Sequence, residues 1–381
     1  MAEIHGLIDE RFAQMADLLS ASIDAGTDVG ASIAVTVDGE FVVDAWGGSA
    51  DEARSTPWAA DTITNVWSST KTMMTITALV AVDRGYIDVH APVADYWPEF
   101  AANGKEAITV ANLMSHTSGV SAWAQPITMD DVIDREKSTA MLAEQAPWWE
   151  PGTASGYHAL NQGHLVGEVV RRTTGRTLGQ YFADEIAGPL EADFHIGLAD
   201  EHHHRVSNVI PPPHDPVAER AMGNLDPNSL MVRTLTSPGP DASYAWKPEW
   251  RRAEVPAANG HGNARSAALI QSVVANNGEM NGIRLLSKDT IDLIFEEQSN
   301  GLDVVLNMPV RFGIGYGLYS PESSPHLPGG RIASWGGWGG SVVIVDTDRN
   351  MVITYMMNKM QSGLLGDFRG INLVKAAYAA I

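Results

Sequence analysis

The chain has no cysteine. That excludes disulfide staples, a thiol nucleophile and thiolate-bound metal, and it leaves the redox compartment open. Long apolar runs are also missing. No stretch approaches ~18 consecutive apolar residues, so no membrane-spanning helix is predicted. Basic side chains are scarce: 25 Lys and Arg stand against 46 Asp and Glu, a formal charge of −21. Such a chain repels phosphate backbones, which argues against a nucleic-acid partner. The opening residues lead into Asp9, Glu10 and Arg11 with no apolar run behind a basic start. No signal peptide is visible, and a cytoplasmic protein is the expectation. Three reaction signatures are absent as well: the G-x-S-x-G elbow, the H-E-x-x-H zinc motif and the P-loop.

What remains is an ordinary globular composition, 44% hydrophobic and 19% charged over 381 residues. A chain of that length buries enough surface to need no staples. Residues 3–25 carry Ile4, Leu7, Ile8, Phe12, Met15, Leu18, Leu19 and Ile23 at helical spacing. Two β-rich runs, 31–37 and 40–46, flank Asp38-Gly39 and read as a hairpin. Helices are predicted over 68–85 and 159–172, the second ending in Arg171 and Arg172 with Gly175 beyond. From 86 to 265 helical segments alternate with long Pro-containing loops, and the stretch 236–250 is irregular, either surface loop or lid. A helix over 267–277 precedes strands at 311–319, 341–345 and 351–357, and a last helix starts near 370.

Strands at both ends with helices between predict an α+β fold, an antiparallel sheet flanked by helices and completed by both termini. The expected division is 1–67 with 266–381 as a discontinuous α/β sheet domain. Residues 68–265 form a mainly helical insertion, and a site is expected in the cleft between the two.

Three stretches carry possible chemistry. In Trp67-Ser68-Ser69-Thr70-Lys71, a helix starting here puts Ser68 and Lys71 on one face, with the Ser68 N–H at the positive helix end. Ser68 needs a base or a neighbouring cation to act as a nucleophile, and a buried Lys71 can serve. The bland alternative is Ser68 as a helix cap and Lys71 in solvent. The second is Glu150-Pro-Gly-Thr-Ala-Ser-Gly-Tyr157, where a turn delivers Tyr157 to a helix N-terminus that would favour a phenolate. The alternative there is an amphipathic Tyr at the edge of the core. The third, Trp335-Gly336-Gly337-Trp338-Gly339-Gly340-Ser341, is a glycine-rich run before an apolar strand, implying close approach to the backbone by a substrate carbonyl or by a tight turn. Ser115-His116-Thr117-Ser118-Gly119 reads as local turn bonding, and His202-His203-His204 as a surface loop.

In this order, Ser68-x-x-Lys71, Tyr157 and Trp335-Gly-Gly337 resemble the serine β-lactamase and penicillin-binding-protein superfamily. They look most like its family VIII carboxylesterases, which share the class C β-lactamase fold. The resemblance spans nearly the whole chain through Gly30-Ala-Ser-Ile-Ala-Val35, Leu113-Met-Ser-His-Thr-Ser-Gly119, Arg311-Phe-Gly-Ile-Gly315 and Gly339-Gly-Ser341. It implies Ser68 as the acylated nucleophile, Lys71 as its partner and Tyr157 as activator or proton relay. The implied oxyanion hole is the backbone N–H of Ser68 and of Trp338. Trp335, Gly336, Gly337, Trp123 and Trp148 are the candidate substrate-binding residues. No cofactor or metal is implied, and the implied partner is a small-molecule ester.

The chain departs from the β-lactamases twice. Trp335-Gly-Gly337 stands where they carry Lys-Thr-Gly or His-x-Gly, and Ala159 stands where an Asn is expected two residues after the Tyr. Both changes remove groups that recognise β-lactams, and the Ser-Asp-Asn tripeptide is absent. The expected activity is a serine carboxylesterase for short-acyl esters. The alternatives are a β-lactamase, DD-peptidase or acyltransferase on the same fold, or a non-catalytic binding relative. The oligomeric state is not legible.

Overall fold

The computed structural model describes residues 1–216, 220 and 223–381. Nine strands make one antiparallel sheet: β1 (Ile4–Ile8), β2 (Gly30–Val37), β3 (Glu40–Gly48), β4 (Ser299–Leu302), β5 (Pro309–Phe312), β6 (Gly317–Leu318), β7 (Ile332–Gly336), β8 (Val342–Asp346) and β9 (Met351–Met357). Side by side they run β1-β3-β2-β9-β8-β7-β6-β5-β4, so strands from both ends of the chain meet at β2 and β9. The architecture is the α+β arrangement predicted, an antiparallel sheet with helices against it.

The β2–β3 hairpin turns at Asp38 and Gly39, whose φ angles of 51° and 82° are the two positive values that a two-residue primed turn needs. Every residue of β9 is buried, which a strand achieves only when both faces are covered. On one face lies helix α4 (Ala264–Ala275), where Thr354 Oγ1 donates to the Ala264 carbonyl at 2.8 Å. Successive side chains alternate faces, so Tyr355 points the other way, where its hydroxyl meets Asp28 at 2.7 Å. That side is closed by α1 (Ala13–Asp24) and α5 (Phe368–Ala379). The Arg369 guanidinium ties α5 to the sheet through Asp28 at 2.7 Å.

The N-terminal stretch corrects the sequence reading. Only its second half is helical; Ile4–Ile8 is an edge strand paired with β3. Gly6, at φ +106°, lies so close to β3 that a methyl there would overlap the Asp44 carbonyl. Phe12, Met15, Leu19 and Ile23 still face the core at helical spacing.

Among the described residues between Asn65 and His261 the regular structure is mostly short helices separated by loops, centred on α2 (Thr70–Asp83), where every residue from Thr70 to Ala81 is buried. A three-stranded patch holds the entry to α2: Ile63–Asn65 pairs with His261–Gly262 and Val206–Ser207. The stretch 200–250 includes 217–219 and 221–222, which lie outside the described residues. Among the described residues, no helix is long and apolar enough to cross a membrane.

Candidate active site

Ser68 sits in the one-turn 3-10 segment Trp67–Ser69 that leads into α2. Trp67 has φ +47°, a left-handed conformation that costs a bulky residue about 1–3 kcal/mol and persists only where its surroundings enforce it. Here the rings of Trp338 and Trp250, at 5.0 and 6.0 Å, hold the indole. The Thr70 hydroxyl accepts from Gly260 N–H at 2.8 Å, and Val66 N–H donates to the Gly260 carbonyl at 2.9 Å. The α2 N-cap is Ser69, with no side-chain cap bond, so the capping alternative for Ser68 fails.

The Ser68 hydroxyl oxygen lies 2.7 Å from the Tyr157 hydroxyl, which donates to it, and 3.2 Å from Lys71 Nζ. Lys71 is 1% exposed, which removes the solvated alternative. Its Nζ also donates to the Ala159 and Ala257 carbonyls at 2.7 and 3.0 Å. Burial holds its pKa well below the usual 10.5. Burial pushes the Tyr157 phenol the other way, up to about 12. Burial thus works against the charged form of each group.

Tyr157 is not at a helix N-terminus as expected. The helix after it, α3 (Gln162–Thr174), starts five residues later. The intervening backbone is committed elsewhere: His158 N–H donates to His116 Nδ1 at 3.0 Å, and the Ala159 carbonyl faces Lys71. Tyr157 N–H meets the buried Asp303 carboxylate at 3.1 Å, and the same Oδ1 accepts from Val305 and Leu306. The phenol ring packs against His116 at 5.0 Å and Trp335 at 5.3 Å, which also contact each other at 5.9 Å. His116 is buried and held well below its usual pKa, first by that burial. The Ser115–Gly119 turn thus backs Tyr157 as well as bonding locally.

The glycine run closes the site from the sheet side. Gly337 lies against the nucleophile turn: a methyl there would overlap the Val66 carbonyl and Ser341 Oγ. Ser341 Oγ bonds Ser69 Oγ and the Val66 carbonyl, each at 2.9 Å. No hydrogen bond of the described residues uses the Trp338 backbone N–H. Arg369 steadies this loop by donating to the Gly339 carbonyl at 2.6 Å.

A cavity of about 360 Å³ opens at Ser68, lined by Tyr157, Trp123, Trp338, Leu160, Leu235 and Leu364 among others. Trp123 and Trp338 stand on its wall; Trp148, Trp335, Gly336 and Gly337 do not. Trp148 lies under the Arg233 guanidinium at 3.8 Å, Trp335 is behind Tyr157, and Gly336 abuts the backbone of Leu365 and Gly366. The close approach that the glycines serve is to the protein itself: backbone at Gly336, backbone and the Ser341 hydroxyl at Gly337, and the side chains of Met360, Arg369 and Asp367 at Gly339 and Gly340. Thr236, Ser237, Pro238, Pro240 and Asp241, from the stretch left open as loop or lid, form part of the wall.

Residues 16–377 match the Beta-lactamase family. A Mycobacterium tuberculosis protein named Esterase/beta-lactamase LipL is 34% identical over 372 residues, covering 95% of this chain and 84% of that protein. The chain belongs to the Beta-lactamase family. Among solved structures, a family VIII carboxylesterase superposes with TM-score 0.92 at 39% identity, covering 100% of both chains. A penicillin-binding-protein homologue from Caulobacter crescentus gives 0.89 at 34%, again over 100% of both. The family VIII resemblance read from the sequence is upheld.

Within this Beta-lactamase-family site, sequence reasoning missed Asp303, Arg369 and the pairing of Ser69 with Ser341. Gly339-Gly-Ser341 had marked the third segment without showing what Ser341 touches. Asp303 carries no local signal, because its partner Tyr157 is 146 residues away.

Proposed function

We propose that the protein is a serine carboxylesterase that hydrolyses uncharged short-acyl esters through an acyl-enzyme on Ser68. The observation that carries this reading is the convergence of Tyr157 at 2.7 Å and Lys71 at 3.2 Å on one buried serine oxygen. Relatives named as esterases and the family VIII carboxylesterase fold support it. The Ser68 oxygen attacks the ester carbonyl while its proton passes to the neutral Lys71 amine. Two carbonyl acceptors already face that nitrogen and receive the ammonium that forms. The Tyr157 hydroxyl supplies the proton taken by the departing alkoxide, and the Lys71–Tyr157 pair returns to its starting state by passing the proton on. Water then repeats the attack on the acyl-enzyme. The backbone N–H groups of Ser68 and Trp338 stabilise the oxyanion. In this reading 1–67 with 266–381 supplies the glycine-rich wall, and 68–265 supplies the three reacting side chains.

The wall favours a neutral substrate. Its only formally charged side chain among the described residues is the Asp241 carboxylate, and no cation stands ready for the carboxylate of a β-lactam. Nitrocefin turnover is accordingly expected to be slow beside ester turnover. The deciding experiment pairs fluorophosphonate labelling and peptide mapping with turnover of p-nitrophenyl acetate. Wild-type protein should carry the adduct on the Ser68 peptide, and Ser68→Ala should lose both adduct and turnover. Full turnover by Ser68→Ala would overturn the assignment.

A further inference from the structure

Tyr157 lies in a segment, 154–158, that is neither helix nor strand, so its place is set by what that segment bonds to. Residues 155–158 are pinned along both edges. On one side Gly156 N–H donates to the His116 carbonyl at 2.9 Å, and His158 N–H to His116 Nδ1 at 3.0 Å. On the other side the loop joining β4 to β5 supplies both partners. Val304 N–H donates to the Ser155 carbonyl at 2.9 Å, and Asp303 Oδ1 accepts from Tyr157 N–H at 3.1 Å. The loop is closed on itself: Asp303 N–H donates to the Met308 carbonyl at 3.0 Å, and Asn307 N–H to the Asp303 carbonyl at 2.8 Å. Val304, Val305 and Leu306 at its tip pack into the apolar cluster that holds Tyr157, Phe312 and Trp335.

Asp303 is more than this loop needs for itself. An acceptor for the Val305 and Leu306 N–H groups is a local turn function, which Asn or Ser also performs. Here the side chain is a carboxylate with 0% exposure, and its three hydrogen bonds among the described residues all come from backbone N–H groups. Burying such a group is costly. Its one bond that leaves the loop goes to the residue whose hydroxyl stands 2.7 Å from the Ser68 oxygen.

We propose that Asp303 is a positioning residue: by holding Tyr157 N–H it fixes the distance from the phenol hydroxyl to the Ser68 oxygen. It sets the rate of the chemical step without touching the substrate. The phenol ring is rigid, so a shift of the Tyr157 backbone is carried to the hydroxyl. A displacement of about 1 Å at a reacting group costs about 10²-fold in rate. This deepens the Ser68 ester-hydrolase reading and rests on it.

The test compares two substitutions at this position, each made with Tyr157 intact and with Tyr157→Phe. Turnover of p-nitrophenyl acetate and the rate of fluorophosphonate labelling of Ser68 are both read. The hydroxyl of Asp303→Ser still serves the local turn but is one atom too short for Tyr157 N–H. Its kcat should fall about 100-fold with KM held within about threefold, and labelling should slow in parallel. Asp303→Asn keeps the Oδ1 acceptor and places its nitrogen at Oδ2, which has no hydrogen bond to lose. Its kcat should stay within about fivefold of wild type. In the Tyr157→Phe protein, Asp303→Ser should slow labelling by no more than about twofold, because no hydroxyl remains to be placed. Where Asp303→Ser does not fold, Gly156→Ala is read in its place. The added methyl overlaps the Trp149 ring and crowds Val304 Cγ2, so it displaces the same segment from the other strand of the contact. A folded Asp303→Ser protein with kcat within about threefold of wild type overturns the proposal. So does an Asp303→Asn protein that loses as much as Asp303→Ser, or a loss that persists undiminished with Tyr157→Phe. Failure of the underlying reading looks different: the wild-type protein turns over no ester and Ser68 takes no phosphonate.

Discussion

Gly337→Ala tests whether the sheet edge sets the position of the nucleophile. Gly337 is outside the left-handed region, so alanine meets no backbone penalty and the effect is steric. The added methyl overlaps Ser341 Oγ and the Val66 carbonyl, and comes within 3.3 Å of Ser69 N. All three belong to the turn that carries Ser68 or to the bonds that pin it. Restoring ordinary contact requires one side to retreat by roughly 1 Å. A misplacement of that size at a reacting group costs about 10²-fold in rate. Overpacking of this kind also costs about 1–3 kcal/mol of stability, which leaves a folded enzyme to assay. The expectation is therefore a folded protein whose kcat on p-nitrophenyl acetate falls about 100-fold, with phosphonate labelling of Ser68 slowed in parallel. Gly301→Ala is the control, because a methyl there meets nothing within 4 Å. A folded Gly337→Ala enzyme with kcat within about twofold of wild type would refute the argument that this contact holds the nucleophile in register.

Four further outcomes follow from the same geometry. Because burial lowers the Lys71 pKa in the folded state, the unfolded state binds more protons between that lowered value and 10.5, and this contribution to stability rises with pH across that window. Urea unfolding across a pH series should show that rise in wild type and a flatter dependence in Lys71→Met; identical slopes would contradict a neutral lysine. For the same reason kcat/KM should fall as pH drops through the depressed Lys71 pKa, an acid limb that Tyr157→Phe retains in its residual activity. Arg369→Met strips the buried Asp28 and Asp367 carboxylates of their cation and should cost about 3–5 kcal/mol in urea unfolding, with a shift under about 1 kcal/mol counting against it. Asp241 should disfavour anionic acyl groups by a few-fold, since it is solvent-exposed. A p-nitrophenyl ester ending in a carboxylate should gain on its neutral equivalent in Asp241→Asn, and an unchanged ratio would remove Asp241 from substrate selection.

The parts of the fold legible in sequence are those whose signal is local. Asp38-Gly39 supplies the two positive φ angles of the hairpin turn, and Gly175, at φ +76°, ends α3 where the pattern places it. The edge strands are the opposite case. Ile4, Leu7, Ile8 and Phe12 fit a helical period, yet Ile4–Ile8 is a strand because β3 offers a free edge, and only Gly6 hints at the close pairing. Ser299–Leu302 is exposed from Asn300 onward and has no apolar alternation; it is a strand through its backbone pairing with β5. At the site, Ser68, Lys71 and Tyr157 were reached through motif order, and the structure brings them together. Their supports were not legible, because each is a long-range contact: Asp303 on Tyr157, Ser341 on Ser69, Arg369 on Gly339.

The misplaced expectation about Tyr157 bears on its chemistry. A helix N-terminus would have favoured a phenolate, and with it a charged lysine beside it. The phenol instead lies before a segment that is not helical, its N–H given to a carboxylate, and burial holds its proton on up to about 12. Lys71, for its part, donates to two peptide carbonyls, and no ion pair reaches it among the described residues. An ammonium there would face its desolvation cost without a counter-charge. In the proposed mechanism a neutral amine gives two N–H groups to those carbonyls and turns its lone pair to the Ser68 proton across the 3.2 Å contact. In the mechanism proposed above, the phenol and the amine divide the work by protonation state, the phenol giving a proton and the amine taking one.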